Sequence, residues 1–112
     1  MRIAVASSDG IVINTHFGRA NTFYIYESLG GVIRFMEKRF GKPFCHIGEH
    51  EEEDLLNAVD LLQDCAKVYV LQIGQGAEEA LLARGIQPVI GRGIILEVLE
   101  DCEKVKKEVR KE

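Results

Sequence analysis

The first half of the chain carries hydrophobic and polar positions in the pattern of β-strands. Residues 2–7 form a short apolar run that ends in a polar turn with glycine, which predicts a buried first strand. Residues 22–27 alternate between aromatic and other side chains, and residues 32–40 alternate after the pair Gly30-Gly31. Two alternating runs joined by such a pair predict a β-hairpin.

The second half alternates between helical and strand patterns. Residues 51–65 have apolar side chains at helical spacing and acidic residues in the first turn, where the helix dipole favours them. A strand is predicted at 67–73, a short helix at 76–84 that ends before Gly85, and another strand at 86–90. An apolar stripe beginning at Ile94 predicts the last helix.

This order of elements predicts the fold class. A β-α-β-α half requires parallel strands joined by right-handed crossovers, while the early hairpin adds an antiparallel pair. We therefore predict an α/β domain with three layers, α/β/α, around a mixed sheet of five strands. The length of 112 residues corresponds to a single domain over 1–112, without repeats or linkers.

Charge and composition exclude several classes of function. The chain has 14 basic and 18 acidic residues, a net charge of −4, which argues against a nucleic-acid binder. No apolar stretch approaches the ~18 residues of a membrane span, and the N-terminus turns polar too early for a signal peptide. Three widely spaced cysteines are typical of reduced thiols, so we expect a cytoplasmic protein that binds no membrane.

Three loops with glycine are expected to meet at one edge of the sheet. They are residues 7–10, 73–76 and 91–93, and ligands of open α/β sheets bind beyond the carboxyl ends of parallel strands. We expect the last two loops to open helices, whose free N–H groups attract an anion, and Gly76 and Gly93 would let the backbone come close to a ligand. The alternative is that these glycines only make tight turns. Neither a dinucleotide fingerprint nor a Walker A motif is present.

The tetrapeptide His16-Phe17-Gly18-Arg19 is the most informative motif. It follows the first strand, in a connection where an imidazole can reach a ligand, and neutral histidine binds iron, zinc and related metals. Phe17 would anchor the loop to the core, Gly18 permits a turn, and Arg19 adds a permanent positive charge. Alternatively, His16 only bonds to the backbone.

The cysteines suggest one further ligand. Cys45 lies beside His46 and His50 in a predicted loop, but their spacing matches no closed zinc site. One accessible thiol cannot build a four-thiolate iron–sulfur site. Cys65 and Cys102 fall on apolar helix faces, where we expect small buried side chains. We also expect residues 9–22 and 41–49 to be loosely held.

Several of these segments resemble a known family. They are residues 3–6, 9–10, 14–20, 23–27, Cys45, 73–77, Leu81 and 85–86. Together they resemble the dinitrogenase iron–molybdenum cofactor biosynthesis family, which includes NifX, NafY and the C-terminal domain of NifB. The resemblance implies a ribonuclease H-like fold and transient binding of an iron–sulfur or iron–molybdenum cluster, or its precursor. The radical-SAM cysteine motif of full-length NifB is absent.

The resemblance assigns roles to the candidate residues. It implies that His16 and Cys45 are metal ligands and that the cluster is passed between assembly proteins and a client apoprotein, without enzymatic activity. The other residues expected around the cluster are Phe17, Gly18, Arg19, Gly74, Gly76, Arg92 and Gly93. A nuclease is not expected, because the first strand lacks the carboxylate that would hold a catalytic metal. Alternatives are a small-anion or nucleotide-sensing module and an interaction domain of a cluster assembly factor.

Overall fold

The structure, a computed structural model, describes residues 1–41 and 51–110. The elements within these ranges are β1 (Arg2–Ala6), β2 (Val12–Ile13), a 3₁₀ turn (Phe17–Arg19), β3 (Thr22–Leu29), β4 (Val32–Phe40), α1 (Glu51–Leu61), β5 (Lys67–Val70), α2 (Gln75–Ala83), β6 (Gln87–Ile90), β7 (Gly93–Ile94) and α3 (Ile95–Arg110).

The main sheet is mixed and has five strands in the order β4-β3-β1-β5-β6. The pairs β1–β5 and β5–β6 are parallel, whereas β1–β3 and β3–β4 are antiparallel. Val5 lies opposite Tyr69, and Tyr69 lies opposite Val89. The carboxyl ends of the three parallel strands therefore share one edge, which we call the carboxyl edge. The predicted mixed α/β sheet and its hairpin are confirmed.

Helices cover both faces of this sheet. Ala4 of β1 belongs to a buried cluster with Val59 of α1 and Leu81 of α2. The neighbouring Ile3 belongs to a second cluster with Leu99 of α3. Since adjacent strand residues point to opposite faces, α1 and α2 cover one face and α3 covers the other. The predicted three-layer arrangement is confirmed, and the ribonuclease H-like fold stays an implication of the resemblance.

Helix α2 ends at the glycine that the sequence indicates. Gly85 has a φ of +79°, a conformation that glycine adopts without strain. The N–H of Gly85 donates to the carbonyl of Leu82 at 3.0 Å, and the N–H of Ile86 donates to that of Leu81 at 2.9 Å. This is a Schellman motif, and it turns the chain directly into β6.

Some boundaries differ from the predicted ones. Strand β5 ends at Val70 and helix α1 at Leu61, so both are shorter than predicted. Strands β2 and β7 form a second, two-stranded sheet that the sequence pattern did not indicate. Each has two residues, which is too short to show a hydrophobic period. No helix in the two described ranges is long and apolar enough to cross a bilayer.

Candidate functional site

His16 is fixed at the carboxyl edge by the residues on either side of it. The N–H of Leu71 donates to the carbonyl of Thr15 at 3.0 Å, and the N–H of Phe17 donates to that of Gln72 at 2.9 Å. Leu71 and Gln72 directly follow β5, so His16 lies beside the end of a parallel strand. Its backbone is extended, with φ −66° and ψ 146°. The tertiary structure thus brings the His16 loop to the edge where ligands of α/β sheets bind.

Phe17 anchors the same loop in the core. Its side chain is 1% exposed, and its ring lies 5.7 Å from that of Phe23, centre to centre. The 3₁₀ turn that follows is closed by the N–H of Arg19, which donates to the carbonyl of His16 at 3.0 Å. Gly18 lies inside this turn. The predicted anchoring role of Phe17 is confirmed.

Asn14 ties the beginning of the loop to the end of β1. Its Oδ1 accepts hydrogen bonds from the N–H of Ser8 at 3.0 Å and from the hydroxyl of Thr15 at 2.8 Å. Its Nδ2 donates to Oγ of Ser8 at 2.9 Å. These bonds fix the backbone one residue before His16.

The turn at residues 7–10 satisfies its own polar groups. Oδ1 of Asp9 accepts hydrogen bonds from the N–H groups of Ile11 at 2.9 Å and Val12 at 3.2 Å, and these bonds lower the pKa of Asp9 below its ordinary value. Gly10 has a φ of +77°, and a Cβ there would lie 2.6 Å from Cε2 of Tyr24. The tight turn and its packing against Tyr24 therefore explain Gly10. This agrees with the alternative that the loop glycines only make tight turns.

The connection at residues 9–22 is held by several contacts. Asp9 accepts the hydrogen bonds that close its first turn. In its middle, the N–H of Phe17 donates to the carbonyl of Gln72, and the Phe17 ring is buried. Buried contacts and backbone bonds of this kind oppose local opening. These contacts oppose the looseness expected around His16 and agree with Phe17 pinning the middle of the connection; the looseness itself stays a prediction for hydrogen exchange. Of the other segment predicted to be loose, 41–49, all residues after Gly41 lie outside the described ranges.

The small sheet brings a third loop to the chain segment that precedes His16. Ile13 of β2 lies opposite Gly93 of β7, in an antiparallel pair. Arg92 directly precedes Gly93, and His16 lies three residues after Ile13. The pairing therefore brings the loop at 91–93 to the connection that contains His16, although the two are distant in sequence.

The role predicted for Gly93 at a helix start is wrong. Helix α3 begins at Ile95, two residues later, and the N–H of Ile95 donates to the carbonyl of Ile11 at 2.8 Å. Gly93 instead belongs to β7 and has a φ of +113°. Residues 93 and 94 pair with β2 and do not start the helix. This pairing provides hydrogen-bond partners for their backbone groups.

Helix α2 begins in the glycine loop at residues 73–76, as predicted. Gly74 is the N-cap, with φ −79° and ψ 161° and no side-chain capping bond. Gly74 and Gly76 are exposed, and a Cβ on either would meet nothing within 4 Å. The first N–H groups of a helix lack intrahelical partners and carry its positive dipole end. Packing does not account for these two glycines.

Positive charge is available at this edge. Arg19 and Arg92 are both exposed, and neither forms an ion pair within the described ranges. His16 is half-buried. No group of three His, Cys, Asp or Glu side chains in the described part of the chain could hold a metal ion. Cys45, His46 and His50 lie outside that part, so the second predicted ligand stays a prediction.

The other two cysteines differ in their surroundings. Cys65 is buried, as predicted, and burial raises the pKa of its thiol to about 11. Cys102 is exposed, so the prediction of a buried side chain is wrong. Glu103 takes the inward position one turn after Leu99, and its side chain is only 5% exposed. The sequence pattern missed this residue because charged side chains are seldom buried.

Two hydrogen bonds hold the Glu103 carboxylate. Its Oε2 accepts bonds from the hydroxyl of Tyr69 at 2.8 Å and from Nζ of Lys67 at 3.0 Å. Burial and the neighbouring carboxylate both raise the pKa of Tyr69. These hydrogen bonds join α3 to β5. They lie in the core and not at the carboxyl edge.

Fold and site define a small α/β protein in which three loops meet at the carboxyl edge of the sheet. The family model described as dinitrogenase iron-molybdenum cofactor matches residues 1–105. The chain therefore belongs to the dinitrogenase iron–molybdenum cofactor family.

Curated relatives support this assignment. The chain is 39% identical over 90 residues to the FeMo cofactor biosynthesis protein NifB of Frankia alni, covering 78% of this chain and 18% of NifB. It is 32% identical over 95 residues to protein NifX of Azotobacter vinelandii, covering 80% of this chain and 55% of NifX. The chain thus spans about a fifth of the first relative and about half of the second.

Solved structures share the fold. The crystal structure of PH0822 superposes with a TM-score of 0.70 at 24% identity, covering 90% of this chain and 88% of that one. The NMR structure of a Thermotoga protein assigned to NifB gives a TM-score of 0.61 at 20% identity, covering 89% and 84%. These similarities confirm the α/β architecture.

Proposed function

We propose that this domain binds and carries an iron–sulfur or iron–molybdenum type cluster, or its precursor, without catalysing a reaction. The observation that carries the proposal is the position of His16. Its neighbour Thr15 accepts a backbone hydrogen bond from Leu71, and its neighbour Phe17 donates one to Gln72, so the segment after β5 holds His16 at the carboxyl edge. Membership of a family of cofactor biosynthesis proteins supports the same function.

The chemistry of a preassembled cluster fits this edge. Such a cluster contains its own bridging sulfides, so one or two protein ligands suffice, and an imidazole nitrogen binds iron. Its negative charge would be balanced by Arg19, Arg92 and the free N–H groups at the start of α2. Cys45 would be the second ligand. Few ligands also permit transfer, so the cluster is cargo received from assembly proteins and passed to a client apoprotein.

Anaerobic titration with a thiolate-ligated [4Fe–4S] cluster, followed by visible absorbance, tests the proposal. We expect His16→Ala to weaken binding at least tenfold, about 1.4 kcal/mol or more, while the melting temperature stays nearly unchanged. His16→Cys supplies another metal ligand and should retain binding. Asn21→Ala, an exposed polar residue just after the loop, is the matched control. Equal affinity of wild type and His16→Ala would remove His16 from the site.

The charges are tested separately. Arg92→Ala should weaken cluster binding more than Arg84→Ala, because Arg84 lies just after the opposite end of α2. Cys45→Ser should weaken it as well. If inorganic phosphate or a nucleotide binds tightly in calorimetry and the cluster does not, the domain is an anion-sensing module instead.

A further inference from the structure

Strand β4 is an edge strand with an unusual surface. It is nine residues long and pairs only with β3 within the described part of the chain. Its side chains Phe35, Met36 and Phe40 are 50%, 39% and 70% exposed. An open edge with exposed aromatic residues can pair with another strand unless charges block it. The charges on β4 are of both signs, Arg34, Lys38 and Arg39 against Glu37, so a second strand with the complementary order can still pair.

A β-bulge changes the register in the middle of β4. Phe35 lies opposite Tyr26 of β3, and Glu37 lies opposite the next residue, Ile25, so Met36 is the extra residue. Arg34 lies opposite Glu27 on the other side of the bulge. Because Glu27 and Ile25 are two positions apart on β3, Arg34 and Glu37 lie on the same face of the sheet.

We propose that two copies of this chain associate through β4, forming one continuous antiparallel sheet across a two-fold axis between Phe35 and Met36. In this register Arg34 lies opposite Glu37 of the second copy, and the two-fold axis repeats the pair. The Glu37 carboxylate also accepts a hydrogen bond of 2.8 Å from Nε of Arg39 in its own chain, so it would bridge two arginines. Opposite charges directly across antiparallel strands attract each other. Phe35 lies opposite Met36 of the second copy, so the exposed apolar side chains at the centre cover one another.

The bulge is what makes this register available. In a regular strand, residues 34 and 37 would point to opposite faces and could not pair across a two-fold axis. A symmetric register centred on Met36 would place Arg34 opposite Lys38, but these side chains lie on opposite faces of the sheet, because Lys38 pairs with Tyr24 of β3 and Arg34 with Glu27. The charges of β4 therefore favour one self-complementary register, as a two-fold interface requires. The strand that pairs with the β4 edge is therefore the β4 strand of a second copy of this chain.

The interface is compatible with the proposed site. In the sheet order, β3 and β1 separate β4 from β5, the strand beside His16. Each copy would keep its carboxyl edge free. The two proposals are independent, since dimerisation requires no cluster.

Sedimentation velocity over a concentration series tests the proposal. We expect the wild type to reach twice the chain mass of 12.5 kDa, and Arg34→Glu or Glu37→Arg alone to raise the dimer dissociation constant at least tenfold. The double variant Arg34→Glu/Glu37→Arg restores the opposite charges and should dimerise like the wild type. Glu100→Arg, an exposed change on α3, is the control for net charge.

A second measurement needs no variant. In a mixture of isotope-labelled and unlabelled protein, filtered NMR spectra should show contacts between the Phe35 ring of one copy and the Met36 methyl group of the other. A monomer at all concentrations would overturn the proposal. So would a dimer that Arg34→Glu leaves unchanged, or one without the Phe35–Met36 contact.

Discussion

The N–H of Phe17 donates a hydrogen bond of 2.9 Å to the carbonyl oxygen of Gln72. This bond joins the loop after β1 to the loop after β5. The buried ring of Phe17 packs in the core and keeps the two loops together. The residue before Phe17 is the candidate ligand His16. A buried aromatic side chain and a half-buried candidate ligand are therefore adjacent in the sequence, and the first fixes the backbone of the second.

Removing this anchor should affect both stability and the site. We expect Phe17→Ala to lower the free energy of unfolding by about 3–5 kcal/mol, because it leaves a cavity in the core. Phe40→Ala removes the same ring from an exposed position and should cost less than about 1 kcal/mol. Urea unfolding measures both. Similar losses for the two variants would show that Phe17 does not anchor the loop.

The cysteines should react with a thiol reagent in a definite order. Cys102 is exposed and should react in the native protein, whereas Cys65 is buried, with a pKa raised to about 11, and should react only after unfolding. Cys102→Ser and Cys65→Ser identify each phase. Cys45 is predicted to react in the native protein and to be protected by bound cluster. Rapid native labelling of the Cys102→Ser/Cys45→Ser variant would contradict the burial of Cys65.

Acid should weaken the link between β4 and the segment after α1. Arg39 bonds to both carboxylate oxygens of Asp64, at 2.7 and 2.9 Å, and lowers the pKa of Asp64 to about 2. Because this pKa lies below the ordinary value near 3.8, the pair stabilises the fold fully above about pH 4. That contribution is lost as the pH falls towards 2.

The pH dependence can be measured by urea unfolding of wild type and Asp64→Asn. We expect the variant to be less stable by about 1 kcal/mol at pH 5, since the Asp64 side chain is half-exposed and screened by solvent. The difference should shrink at pH 2.5. Asp60→Asn, in the more exposed pair with Arg84, is the control. A difference that stays constant with pH would mean that the ion pair is not its cause.

Gly10 should tolerate no side chain. Gly10→Ala places a Cβ against the Tyr24 ring at a φ of +77°, and we expect a loss of at least about 2 kcal/mol. Gly30→Ala has a φ of +60° but open space around it, and should cost about 1 kcal/mol. Thermal unfolding compares the two. In the background Tyr24→Ala the cost of Gly10→Ala should fall to that of Gly30→Ala; an unchanged cost would exclude the steric contact.

The sequence by itself determined the elements whose signals are local. The β3–β4 hairpin follows from two alternating runs around Gly30-Gly31, and the end of α2 follows from Gly85. The motif at His16 is also visible in the chain, because a histidine, an aromatic anchor and a glycine stand side by side. Each of these features depends on residues a few positions apart, and a linear pattern records such distances.

Only the tertiary structure decided which distant residues meet. The β2–β7 pair places Gly93 opposite Ile13, and strands of two residues are too short to show a hydrophobic period from which the pairing could be predicted. Likewise, helical spacing allowed either Cys102 or Glu103 to face the core. Glu103 faces inward because Lys67 and Tyr69 provide hydrogen bonds for its carboxylate. The cost of burying a charge depends on partners that the sheet supplies from elsewhere in the chain, so no local pattern could predict it.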